Sequence, residues 1–132
     1  MANRESLREF ALSQRLKHYS AATGVVYQYV FRGKAPSEAG EAHVFEVMAD
    51  RQAAFLVHVE IGPEELRFCE DRLGFALRWN DEYALAKLAL FNAFDGRENA
   101  AAMRESVRPG TSELLGYMKT LRMLDEEAPE NQ

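Results

Sequence analysis

Between Tyr83 and Phe94, ten of twelve consecutive residues are apolar, and none is Gly, Pro or β-branched. Ala and Leu dominate the run, and both are strong helix formers. Its two polar residues, Lys87 and Asn92, would project roughly 140° apart on a helix, so no single face is wet. Such a helix has to be covered on several sides, unlike a surface helix with one apolar stripe. It is also too short to cross a membrane. Asn80 suits the N-cap, Asp81 and Glu82 place negative charge on the first turn, and Gly96 suits the stop. The rest of the chain is therefore read for what can enclose a central core helix.

Three stretches have strand character. Residues 25–32 are β-branched and aromatic, and residues 43–49 and 54–61 alternate apolar with polar. Placing Phe55, Val57, Val59 and Ile61 on one face requires the second strand to present Phe45, Val47 and Ala49 there. Val47 opposite Val57 would leave the loop Arg51-Gln52-Ala53, and a longer loop also fits, because no Gly supplies a left-handed residue. If Val25, Tyr27, Tyr29 and Phe31 join that face, it is wholly apolar. The opposite face carries Val26, Gln28, Val30, Arg32, Val44, Glu46, Met48, Leu56, His58 and Glu60. Half of these ten are apolar, more than a solvated face usually shows, so the first helix or a second subunit is expected to cover it.

Around these strands, Ser6 and Glu9 form a capping box for a first helix over about residues 5–18. Residues 33–42, with Gly, Pro and Ser, read as a loop. Pro63 opens a helix that Gly74 ends, and Cys69 lies on its apolar stripe. Residues 98–107 read as a short helix, and Thr111 caps a last one carrying Leu114, Met118 and Leu121. The expected fold is α+β: a three-stranded antiparallel β-meander with a largely buried central helix and flanking helices packed on one sheet face. Residues 1–124 are expected to form a single domain, followed by an acidic, disordered tail at 125–132.

With 47% apolar and 28% charged residues the chain has the composition of a folded protein. Its single Cys excludes an internal disulfide and fits a reducing compartment. The N-terminus shows charges and no apolar segment of a signal peptide, so a cytoplasmic location is expected, with no membrane attachment. Charge is uneven: residues 1–34 carry +4, while the remainder carries −9. Arg4, Arg8, Arg15 and Lys17 are thus candidates for a docking face toward an acidic partner. The net charge of −5 gives nucleic acid no general attraction, and nucleic-acid binding through the basic first helix ranks last.

Chemistry is sparsely signposted. His18, His43 and His58 have no ligand partner at metal-binding spacing, so no metal or other cofactor is expected. No phosphate loop or nucleophile elbow is present, and Cys69 reads as a core filler. The register above sets Glu46 across from His58, the minimum of a general base, with no nucleophile or oxyanion donor beside it. Tyr27 and Tyr29, with Trp79, are candidates for the edge of a small-ligand pocket, although a core role suits the two strand tyrosines better. The sequence leaves catalysis undecided and leans against it. A protein-interaction domain that forms a homodimer or meets another protein comes first, and a small-molecule-binding protein or weakly signposted enzyme using His58, Glu46 and the strand tyrosines second.

Overall fold

A computed structural model of the chain describes residues 16–124. Within them the fold is α+β, a four-stranded antiparallel sheet in sequence order followed by three α-helices. The strands are β1 (Lys17–Ser20), β2 (Val26–Ser37), β3 (Gly40–Ala49) and β4 (Phe55–Glu60), and the helices are α1 (Pro63–Leu73), α2 (Trp79–Gly96) and α3 (Thr111–Thr120).

The fourth strand corrects the three-stranded expectation. Lys17 and His18, read as the end of a helix, lie in β1, which pairs with β2 through Tyr19 opposite Tyr27. The rest of the expected first helix lies outside the described residues, as does the acidic tail. The apolar residues Leu16 and Tyr19 fit a strand as well as a helix, and tertiary contacts decide. The Tyr19 ring stacks on Phe91 at 4.5 Å, and its hydroxyl donates to Asp95 Oδ2 at 2.6 Å. Asp95 also accepts from the Ala22 backbone at 2.8 Å, holding the β1–β2 turn against the end of α2.

Residues 33–42 are not a loop. β2 and β3 continue as a hairpin to Ser37 opposite Gly40, which leaves Glu38 and Ala39 as the turn. Gly40 takes φ 123°, and Gly33, at φ 109°, absorbs a bulge that leaves Arg32 outside the pairing. Pro36 is tolerated because β2 is an edge strand at that level: β1 reaches only as far as Tyr29. The bulge, Lys34 and Pro36 together make this length of edge a poor template for a further strand.

The predicted core face is formed. Tyr27, Tyr29, Phe31, Phe45, Val47, Ala49, Val57, Val59 and Ile61 are all buried in one cluster. Across it lies α2, whose Leu85, Ala86, Ala89, Leu90, Ala93 and Phe94 are buried. Phe94 stacks on Tyr27 at a centroid distance of 4.1 Å, and Tyr83 meets Phe31 edge-on at 4.9 Å. Of residues 83–94, Asn92 is the exposed one, as a helix enclosed on several sides requires. The helix begins two residues earlier than the Asn80 cap implies: Arg78 is the N-cap, and its backbone N–H donates to Asp81 Oδ2 at 2.9 Å.

Residues 98–107 form no α-helix, only a 3₁₀ turn at Ala102–Arg104. Their carbonyls find other partners. The Arg97 guanidinium donates to the carbonyls of Ala102, Glu105 and Ser106 at 2.8–3.0 Å. Val107 then pairs in parallel with the edge of β4, donating to His58 O at 2.9 Å and accepting from Glu60 N at 2.8 Å. A backbone satisfied in this way gains nothing from becoming helical. Among the described residues no helix is long and apolar enough to cross a membrane.

Candidate functional site

The face of the sheet turned away from the described helices carries Glu46 and His58, the two catalytic candidates. Strand parity was read correctly, but the register of the second hairpin was not. Phe45, rather than Val47, lies opposite Val57, so Glu46 faces Leu56 and His58 faces Val44. The turn is longer than three residues because Asp50 (φ 49°) and Arg51 (φ 65°) take left-handed conformations without a glycine. Asp50 is held there by its backbone N–H, which donates to Val26 O at 2.8 Å, and by its Oδ1, which accepts from Val26 N at 3.1 Å.

The pairing that suggested a carboxylate-oriented imidazole is therefore not formed. Glu46 instead accepts from Arg32 Nε at 2.7 Å and pairs with its Nη2. The bulge at Arg32 releases that side chain from the strict alternation of the strand, so it reaches diagonally across to β3. His58 lies half-buried nearby, and His18 meets the Gln28 amide at 2.9 Å. Val30 and Val44 are buried on this face, whereas Leu16, Val26 and Leu56 are 52%, 42% and 52% exposed. A cleft of about 370 Å3 lined by His18, Val26, Gln28, Asp50 and Arg51 indents its end.

The aromatic candidates separate. Tyr27 and Tyr29 are core residues, the first against Phe94 and the second edge-on to Phe91 at 5.6 Å. Burial raises both phenols above their ordinary range, Tyr29 to about 12. Trp79 is 53% exposed and stacks on Tyr83 at 5.4 Å. The Tyr27 hydroxyl is buried without a hydrogen-bond partner among the described residues. Removing such a group leaves nothing unsatisfied, so Tyr27→Phe should be neutral or stabilise the fold by up to about 1 kcal/mol, measured by urea unfolding. A loss above that would mean that the hydroxyl has a partner. Of the basic candidates, Lys17 is exposed on β1, and Arg4, Arg8 and Arg15 lie outside the described residues.

A second cleft, also of about 370 Å3, lies where the β2–β3 hairpin meets α1 and α2. Lys34, Glu41, His43 and Glu82 supply its polar groups, and Ile61, Pro63 and Leu66 its apolar wall. Lys34 lies directly across the hairpin from His43, and its Nζ is 3.1 Å from Glu41 Oε1 and 3.4 Å from Glu82 Oε1. His43 is only 3% exposed, and its Nε2 is buried with no partner among the described residues. Burial, and then the Lys34 ammonium, push its pKa down to about 4 against the opposing pull of Glu41, so the imidazole is neutral at pH 7.

The sequence does not show this cluster, because residues 33–42 read as a loop. The usable signal was Gly33 and Gly40, which can take the left-handed conformations that carry a strand through a bulge and close a tight hairpin. Among the described residues, no three His, Cys, Asp or Glu side chains are grouped to hold a metal ion. Compared with known proteins, the chain matches no protein-family model, no curated protein and no solved structure, so geometry alone carries the functional argument.

Proposed function

We propose that this domain works by contact with another polypeptide, and that the first such partner is a second copy of itself, met across the face of the sheet turned away from the described helices. The observation that carries this reading is the exposure of two large apolar side chains, Val26 and Leu56, on that one face, with Leu16 exposed just before β1. Electrostatics favour a like partner. Glu46 is already paired with Arg32, and Glu60 with Arg108 Nε at 2.6 Å. Two copies related by a two-fold axis can then approach without facing uncompensated like charges.

Light scattering across a concentration series should show a dimer at high micromolar protein. Leu56→Glu should weaken association by at least about 100-fold, because the added carboxylate would be buried unpaired. Leu56 lies outside the core, so far-UV circular dichroism and the unfolding midpoint should stay close to wild type. A wild-type chain that is monomeric at high micromolar concentration removes the self-association reading, as does a Leu56→Glu variant that still dimerises.

A further inference from the structure

Lys87 sits on the helix side of the sheet, away from the face proposed for self-association, in surroundings that do little to favour its charge. On α2 it shares a stripe with Tyr83 and Phe91, four residues before and after it. Its ammonium lies 5.7 Å from the Tyr83 ring centroid and 6.0 Å from that of Phe91. Both distances are at the outer limit of a cation–π contact, so the rings wall the side chain more than they hold its charge. Lys87 is half-buried, and no carboxylate among the described residues pairs with it. Lys17 shares a face of β1 with Tyr19, which stacks on Phe91. It also lies opposite Tyr29, which meets the same ring edge-on at 5.6 Å. That parity turns Lys17 toward α2 and brings a second ammonium, not a counter-ion, to Lys87. Burial, and then the Lys17 ammonium, hold the Lys87 amine below the ordinary lysine range. Lys34 is the contrast: burial opposes its charge too, but Glu41 and Glu82 outweigh it and raise its amine above that range.

We propose that Lys87 is a nucleophilic amine that forms an imine with a small 2-oxo acid, while Lys17 pairs with the acid's carboxylate. A lysine becomes a nucleophile when apolar surroundings or a neighbouring cation disfavour its protonated form, and both conditions meet here. The uncharged amine donates its lone pair to the keto carbon and a carbinolamine forms. The two amine protons then leave with the former keto oxygen as one water. No electrons are exchanged, so no co-reactant is needed. A 2-oxo acid suits the site because its carboxylate adjoins the carbon that Lys87 attacks. That carboxylate supplies the counter-ion that Lys17 and Lys87 lack among the described residues. Tyr83 and Phe91 offer apolar surface to a short side chain on the acid.

The test incubates the full chain with pyruvate and cyanoborohydride at mildly alkaline pH. The hydride reduces an imine to a stable secondary amine, and peptide mass mapping then locates the label among the four lysines. Lys87 should take at least about threefold more label than Lys34 or Lys119. Acetone, a ketone without the carboxylate, is run in parallel. Expressing the Lys87 label relative to Lys34 and Lys119 removes the differing reactivity of the two ketones. By that ratio pyruvate should be preferred over acetone at Lys87. Lys17→Gln, at an exposed position, should fold normally and lower the preference by about threefold, within the worth of an exposed ion pair. Label on Lys87 no greater than on Lys34 overturns the nucleophile. The absence of a pyruvate preference, or one unchanged in Lys17→Gln, overturns the 2-oxo acid as what it takes.

Discussion

Phe94→Ala should lower the free energy of unfolding by about 3–5 kcal/mol, the range for truncating a fully buried aromatic side chain. Phe94 has no exposed surface and contacts three aromatic rings on two strands. It stacks on Tyr27 at 4.1 Å and lies 5.5 Å and 6.2 Å from Tyr19 and Tyr29. Both lost transfer energy and an unfilled cavity contribute, since rings fixed to paired strands can collapse only partly into the space. Domains of this kind are stable by about 5–15 kcal/mol in total, so a large share would be lost. Urea unfolding should show a lower midpoint with an unchanged slope. Trp79→Ala should cost much less, because half of that ring already faces water. A loss below about 1.5 kcal/mol for Phe94→Ala would mean that α2 is not seated on the sheet as described.

Acidification should destabilise the fold through His43 in a defined window. In the unfolded chain its imidazole titrates near 6.5, and in the fold near 4, mainly because burial disfavours the charged form. Between those values the unfolded state binds the proton and the folded state does not, so stability falls as pH falls. The contribution is complete above about pH 6.5, shrinks progressively toward pH 4, and changes no further below it. A shift of this size corresponds to about 3 kcal/mol. Carboxylates titrate in the same region, so wild type is compared with His43→Gln by unfolding at pH 7 and at pH 4.5. The glutamine variant should lose distinctly less stability over that interval. Parallel losses in the two proteins would show that His43 is not held neutral by its surroundings.

How far the sequence could be read depended on which force set each feature. The core face of β2, β3 and β4 was legible because a period of two admits one assignment once Phe55, Val57 and Val59 are placed inward. Phe45 and Val47 follow, and so does the buried run of α2. Register was not legible, because it turned on Asp50 and Arg51 adopting left-handed backbone that sequence assigns by default to Gly. That displacement of two residues took His58 away from Glu46, while the bulge in β2 let Arg32 reach Glu46. β1 was misread because its direction is fixed by Phe91 and Asp95, more than seventy residues away. Residues 98–107 kept helical composition but lost the helix to the side chain of the adjoining Arg97 and to the distant edge of β4. The cleft at His43 combined both difficulties, since it needs the hairpin, the bulge and the first turn of α2 in place together.

The order of elements along the chain has a consequence for synthesis. Among the described residues every strand is complete by Glu60, whereas the helix that covers their aromatic face ends at Gly96. During elongation at ordinary rates, thirty-six further residues take roughly 2–7 s to add. The meander needs only neighbouring segments to pair, so it can assemble in that interval while Tyr27, Tyr29, Phe31 and Phe45 remain uncovered. A nascent chain in which the meander has formed would leave its most apolar surface open, and its escape from aggregation would rest on how quickly α2 leaves the ribosome and closes over it.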